Sequence, residues 1–163
     1  MKNALFFICL LGAAPLFSQN NYNKQFRTAF TNWDTSAIVP LLKKWELEAP
    51  NDPNLFIARA NYYLQASKKE IIRMDAAPGK GENFEILDST GGKPVAYMYS
   101  DVLYTDSLFE LSQQALDEGI RQYPNRLDMR FGKIYTLGER GLYKRQTNAI
   151  IDACRYGKTI DYA

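Results

Sequence analysis

APNDPNLFIARANYYL, residues 49–64, ends one predicted helix and begins the next. Pro50 stops the preceding helix, because proline lacks a backbone N–H and restricts the residue before it to extended conformations. Asp52 is a typical N-cap, and Pro53 is a typical first helical residue. The apolar side chains that follow recur at helical spacing and are Phe56, Ala60, Tyr63 and Leu64. The stretch therefore predicts two helices joined by a short turn.

With the apolar spacing on either side of this stretch, the sequence predicts six helices in all. The second helix of the chain follows the capping residues Asp34 and Thr35, and Ser107 with Glu110 has capping-box spacing at the start of the fourth. The other predicted ranges are Tyr22–Asn32, Leu127–Leu137 and Lys144–Tyr156. The large side chains expected in the core are Trp33, Trp45, Phe56, Tyr63, Phe109, Leu116 and Phe131.

The pattern changes between Ser67 and Asp106. Two turn sequences, PGKG at residues 78–81 and STGGK at 89–93, separate short runs rich in β-branched and aromatic residues. These runs lie at residues 70–74, 84–87 and 95–99. The segment 67–106 is therefore predicted to be an inserted β-hairpin, with a three-stranded sheet as the alternative.

One spacing occurs twice: two positions four residues apart, then a proline eight residues later. The two sets are Ile38, Leu42 and Pro50, and Ser112, Leu116 and Pro124. This spacing resembles the second-helix signature of 34-residue tetratricopeptide repeats, and Phe56, Ala60 and Tyr63 resemble the first-helix signature. The two prolines are 74 residues apart, and removing one 34-residue period leaves 40 residues, the length of the segment 67–106.

The resemblance implies a mainly α fold: a tetratricopeptide-like stack of antiparallel helix pairs, about three repeats long, over residues 19–163. The predicted β-hairpin would interrupt the middle repeat between its two helices. In this family the first helices line a concave groove that binds peptides or partner proteins. Asn61, Gln65, Arg130 and Tyr135 fall on first helices beside the apolar stripe, and they are the predicted partner-binding residues.

The first 18 residues resemble a secretory signal peptide. Lys2 supplies a positive charge, Ala4–Leu11 is an uncharged apolar run, and Ser18 offers a small residue for cleavage. The run is too short for a membrane-spanning helix, and Cys9 lies inside it rather than at a lipoprotein cleavage position. A retained membrane anchor is the main alternative. The sequence predicts export to the periplasm or the exterior, with no membrane span after removal of the signal.

Composition excludes several function classes. The sequence has no histidine, which removes His-dependent nucleophiles, general bases and zinc sites. Cys154 is the only cysteine after residues 1–18, so a disulfide within the exported chain cannot form. The net charge of +2, without a basic cluster, argues against nucleic-acid binding. We therefore expect a non-catalytic scaffold for a protein or peptide, without cofactor or metal; the oligomeric state is not predicted.

Two rival functions depend on the segment 67–106 and its border. A glycan-binding accessory role would use Tyr97 and Tyr99, whose rings could stack on sugars. A histidine-free hydrolase would use carboxylates at Asp101, Asp106 and Glu110, since glycosidases place two carboxyl groups across a cleft. For these residues packing and helix capping are the simpler expectation.

Overall fold

The computed structural model describes residues 17–160, and it describes side chains from residue 21 onward. The predicted signal peptide, residues 1–18, lies outside the described residues except for the backbone of its last two. The described chain is mainly helical with one small antiparallel sheet, which confirms the predicted class at this level. Its elements are α1 Phe17–Thr31, α2 Thr35–Glu48, α3 Pro53–Ser67, β1 Lys68–Asp75, β2 Asn83–Leu87, β3 Pro94–Tyr104, α4 Asp106–Gln122, α5 Leu127–Glu139 and α6 Tyr143–Thr159.

The chain divides into two compact units after Pro50. The first unit contains α1 and α2, which pack antiparallel through Tyr22 and Trp45, whose ring centroids are 5.6 Å apart. The Tyr22 hydroxyl donates to the Glu48 carboxylate. Asp34 caps α2 as predicted, accepting a hydrogen bond from the backbone of Ala37 at 3.1 Å. α1 begins earlier than the predicted Tyr22.

The prediction that Trp33 is a core residue packed with the face of the first helix is wrong. α1 ends at Thr31, and Trp33 has a φ of 48°, a left-handed conformation that terminates a helix. The Trp33 ring contacts Phe30 edge to face, with centroids 5.8 Å apart, and remains partly exposed. Trp33 therefore helps to form the turn into α2 rather than the buried stripe.

The second unit contains α3 to α6 and the sheet. Asp52 caps α3 and Pro53 begins it, as predicted. The capping box predicted at Ser107 and Glu110 is wrong, because α4 begins at Asp106 after Thr105, which makes no side-chain capping bond. The Glu110 side chain binds Arg145 of α6 instead, at 2.5 Å.

Each helix of the second unit runs antiparallel to the helix before it. Tyr123, just after α4, donates its hydroxyl hydrogen to the carbonyl of Asn51, just before α3. α4 and α5 are joined by the ion pair of Asp117 with Lys133 and by a 2.9 Å hydrogen bond between Gln113 and Thr136. The pairs of residues that connect α5 with α6 are Ile134 with Gln146 and Arg130 with Tyr156.

A buried cluster joins three of these helices. It consists of Phe56 and Ala60 from α3, Ala115 and Leu116 from α4, and Met129 from α5. Gly119 of α4 lets these side chains approach closely, since a Cβ there would lie 2.5 Å from Met129 Sδ and 3.0 Å from Phe56 Cβ. Complete burial of each large apolar side chain contributes about 1.5 to 3 kcal/mol.

The three strands form one sheet in the order β1-β3-β2, with both pairings antiparallel. The sheet leaves the helices at Ser67 and returns at Thr105, whose N–H donates to the Ser67 carbonyl at 2.8 Å. This bond closes the base of the sheet, so α3 and α4 pack as an antiparallel pair despite the residues between them. Three strands form where the minimal prediction was a hairpin.

The prediction that Phe131 is a core residue is wrong. Met129, Thr136 and Leu137 are the buried residues of α5, and they set the inward face of the helix. Phe131 lies on a different face and exposes 60% of its surface. On α6, Ile150 and Cys154 are also exposed, and no residue of that helix is fully buried.

Gly119→Ala tests the close packing of α3, α4 and α5. The added methyl group overlaps Met129 and Phe56, so we expect the free energy of unfolding to fall by about 1 to 3 kcal/mol. Gly157→Ala in α6 is the matched control. Nothing lies within 4 Å of a Cβ at that position, and alanine should stabilise the helix by up to about 1 kcal/mol. Chemical denaturation of both variants measures the difference, and equal effects would contradict the packing described.

Candidate binding groove

Helices α3 and α5 run side by side in the same direction. At their starts, the Arg126 Nη2 atom donates to the Asn54 side-chain oxygen at 3.3 Å. At their ends, the Lys68 Nζ atom lies 3.4 Å from a Glu139 carboxylate oxygen. These two contacts define the ends of a strip between the helices, which we call the α3–α5 groove.

The α3 side of the groove carries amide side chains. Asn54, Asn61 and Gln65 share one helix face, because seven and four residues separate them. Asn54 contacts α5 through Arg126, so this face lies toward α5. Asn61 and Gln65 are exposed, and neither side chain makes a hydrogen bond to another described residue. Both amides are therefore exposed to solvent on this face of α3.

The α5 side of the groove carries two aromatic rings. Phe131 and Tyr135 lie one helical turn apart and expose 60% and 63% of their surfaces. Tyr135 is one further turn from Glu139, which pairs with Lys68, the residue that follows α3. The Tyr135 hydroxyl donates to the Glu139 carboxylate at 3.1 Å, and this hydrogen bond raises the pKa of Tyr135 above its ordinary value. Tyr135 is thus a neutral phenol at physiological pH.

The sequence prediction named Tyr135 as a partner-binding residue and placed Phe131 in the core. The signal was present in the repeat offset: adding 74 residues to Asn61 gives Tyr135, and adding 74 to Ile57 gives Phe131. Ile57 is only partly buried against the core cluster, at the edge of the same face. The offset therefore relates a pair of residues on α3 to the aromatic pair on α5.

Arg130 does not join these residues. Its guanidinium carbon lies 4.2 Å from the centre of the Tyr156 ring, which places the side chain against α6. The Nε atom is buried and has no hydrogen-bond partner among the described residues. Arg130 lines a separate cavity of about 130 Å³ with residues of α4 and α6, including Asp117 and Asp152.

The charges at both ends of the α3–α5 groove are paired. Arg126 binds Asp128 at 2.7 Å and holds the pKa of that carboxyl below its ordinary value. Lys68 pairs with Glu139. Between these pairs lie amides and aromatic rings, so the groove suits hydrogen bonding and apolar contact rather than recognition of a charged group.

The two tyrosines of the predicted glycan site lie on β3, and Tyr99 already has partners. Its hydroxyl donates to Asp75 at 2.6 Å, and its ring lies against Gly79 in the β1–β2 turn. Asn83 holds that turn in place by accepting from the Gly79 N–H at 2.7 Å. Packing therefore accounts for Tyr99, and the glycan-binding alternative depends on Tyr97, which is half-buried.

The three candidate catalytic carboxylates each bind a different arginine. Asp101 lies 2.9 Å from Arg73, Asp106 pairs with Arg140, and Glu110 binds Arg145. Hydrogen bonds from Arg73 and Arg145 hold the pKa values of Asp101 and Glu110 below their ordinary range. A glycosidase acid needs the opposite shift, because it must stay protonated to donate.

Within the described part of the chain, no cluster of three metal-ligating side chains is present. None of the helices described there has the length and apolar character needed to cross a membrane. Comparisons with family models, with curated proteins and with solved structures found no match for this chain.

Proposed function

We propose that the protein is an exported, non-catalytic scaffold of the tetratricopeptide type, which holds an extended segment of a partner protein in the α3–α5 groove. The observation that carries this proposal is the exposure of Asn61, Gln65, Phe131 and Tyr135 along two parallel neighbouring helices. Ordinary solvent-exposed positions are not expected to align amide and aromatic side chains along two neighbouring helices, whereas a groove that binds a peptide is.

The helix arrangement supports the repeat interpretation. α4 is antiparallel to both α3 and α5, and contacts at both ends of α3 and α5 bring these two helices beside each other. The ion pair of Glu110 with Arg145 brings α4 beside α6. Those two residues are 35 positions apart, close to the 34-residue period of tetratricopeptide repeats. Contacts at this spacing are expected when each helix pair packs on the next one along the chain.

The side chains of the groove define the chemistry of the ligand. A primary amide both donates and accepts, so Asn61 and Gln65 can pair with the N–H and C=O groups of an extended peptide backbone. Phe131 and Tyr135 offer apolar ring surface for a ligand side chain, and aromatic residues often dominate binding energy. We therefore propose an extended peptide with an apolar anchor and no required charge.

The absence of histidine from the sequence and the lowered pKa values of Asp101 and Glu110 support a non-catalytic role. The charged Lys2 and the apolar run Ala4–Leu11 support export. These features agree with a binding protein outside the cytoplasm.

Binding of peptides tests the proposed groove directly. The exported chain, residues 19–163, is panned against a displayed library of random peptides, and the selected peptide is titrated by calorimetry. Asn61→Ala should weaken binding by about tenfold, the equivalent of one or two lost hydrogen bonds. Phe131→Ala should weaken it by about 30-fold or more, as expected of a central aromatic contact.

Gln114→Ala on α4 is the matched control, since Gln114 is also exposed but lies on a helix that does not border the groove. It should leave the affinity unchanged. Selection of no peptide, or a peptide whose affinity is unaffected by Asn61→Ala and Phe131→Ala, contradicts the proposal.

Export has a separate test. Expressed from residue 1 in a bacterium with a secretory pathway, the chain should be recovered outside the cytoplasm without residues 1–18. Mass spectrometry of the intact protein measures the cleavage. A double variant, with Lys2→Glu and a charged residue in place of Phe7, should no longer be cleaved. A full-length chain found in the cytoplasm would contradict export without affecting the groove.

A further inference from the structure

The sheet has one apolar face. In an antiparallel sheet, directly paired residues lie on the same face, and residues two apart along a strand share it. Met74 of β1 and Phe84 of β2 both pair with Met98 of β3, which places three large apolar side chains in a row across the sheet. The neighbouring positions on this face include Ile72, Ile86, Ala96 and Val102. We call these seven residues the apolar sheet face.

This face is open to solvent. Ile72, Met74 and Phe84 expose 74%, 62% and 67% of their surfaces. Three strands about 4.8 Å apart, and the stretch of β3 from Ala96 to Val102, give the face a footprint of roughly 10 Å by 20 Å. Scattered apolar residues are ordinary on protein surfaces, but a contiguous patch marks an interaction site.

The opposite face of the same sheet is mixed and partly covered. Its side chains are both charged and apolar and include Lys69, Ile71, Arg73, Asp75, Asp101 and Leu103. Arg73 is bonded to Asp101 at 2.9 Å. The β1–β2 turn lies over this mixed face, where Gly79 contacts the Tyr99 ring. The turn therefore covers the more polar face and leaves the apolar face open.

We infer that the apolar sheet face binds the same face of a second copy of this chain, so that two sheets pack face to face around a two-fold axis. Between its apolar side chains the face carries one polar group, the hydroxyl of Ser100, so it is largely complementary to itself, as a two-fold interface requires. Homodimer interfaces are also more apolar than interfaces with transient partners. Sheets pair in this way in β-sandwiches, where the apolar faces interdigitate about 10 Å apart.

The charges near the patch favour a second copy over a membrane surface. Glu70 and Lys68 lie at one end of the sheet, and Asp88 and Lys93 lie at the other. Both signs occur at each end, so two copies meet without a repulsive field. A membrane-binding face needs a basic rim, but Lys69 and Arg73 are on the opposite face, and Lys68, which is on the apolar side, already pairs with Glu139.

Sedimentation velocity over a range of concentrations measures the association of the exported chain, residues 19–163. The chain should sediment as a dimer, and Phe84→Glu should weaken association by at least 100-fold because it buries two charges near the two-fold axis. Leu103→Glu is the matched control: Leu103 is 47% exposed in the same sheet and pairs with Lys69 on the opposite face. Its dissociation constant should match that of the unaltered chain.

Circular dichroism and thermal unfolding test whether each variant keeps its fold. Ile72→Lys provides a second variant if Phe84→Glu does not fold. A chain that is monomeric at all soluble concentrations overturns the inference, as does equal loss of association in Leu103→Glu. Flotation with vesicles of anionic and neutral phospholipid adds a further arm. A monomer that binds vesicles through Phe84 would assign the apolar sheet face to a membrane and overturn the dimer.

Discussion

Burial of α4 against both α3 and α5 is the constraint on which the second unit depends. Leu116 and Ala115 meet Phe56 and Ala60 of α3, and Met129 of α5 enters the same cluster. The buried amide of Gln113 donates to Thr136 of α5 at 2.9 Å. Because α4 is antiparallel to both neighbours, α3 and α5 have to run parallel. The groove follows from this packing, since exposed side chains of both parallel helices, among them Asn61 and Tyr135, are left unburied by it.

The sheet shows how an insertion can leave that packing intact. The chain departs at Ser67 and returns at Thr105, and the hydrogen bond between these backbones joins the strand ends where a short helical turn would otherwise lie. Tyr104 packs against Phe109 at the start of α4, with ring centroids 6.0 Å apart, so the base of the sheet is anchored to the helices. The sheet beyond that base is free to present a surface of its own.

Local chemistry made several features predictable from sequence. Asp52 and Pro53 define the start of α3 through capping alone, and the 40-residue excess between Pro50 and Pro124 located the insertion. Which face of α5 points into the core was not predictable in this way. Its inward face includes Thr136, whose burial is stabilised by Gln113, a residue 23 positions away. A pattern that counts only apolar residues therefore predicted Phe131 in the core. Tyr135 was then the only aromatic residue predicted for the groove.

The groove residues were only partly predictable for the same reason. Asn61, Gln65 and Tyr135 are exposed on α3 and α5. Arg130 instead turns to Tyr156, because a guanidinium on an aromatic ring is stabilised out of water. The hydrogen bond of Tyr99 to Asp75 joins two strands. Contacts of that kind depend on strand register, which the composition of the segment 67–106 does not specify.

Nuclear Overhauser contacts from the methyl group of Met129 test the central claim most directly. If α3 and α5 pack on α4 as neighbours of each other, that methyl group should show contacts to the Phe56 ring and to Leu116 in the same spectrum. Contacts to Leu116 without any to Phe56 would mean that α3 and α5 are not neighbours, and the groove between them would not exist.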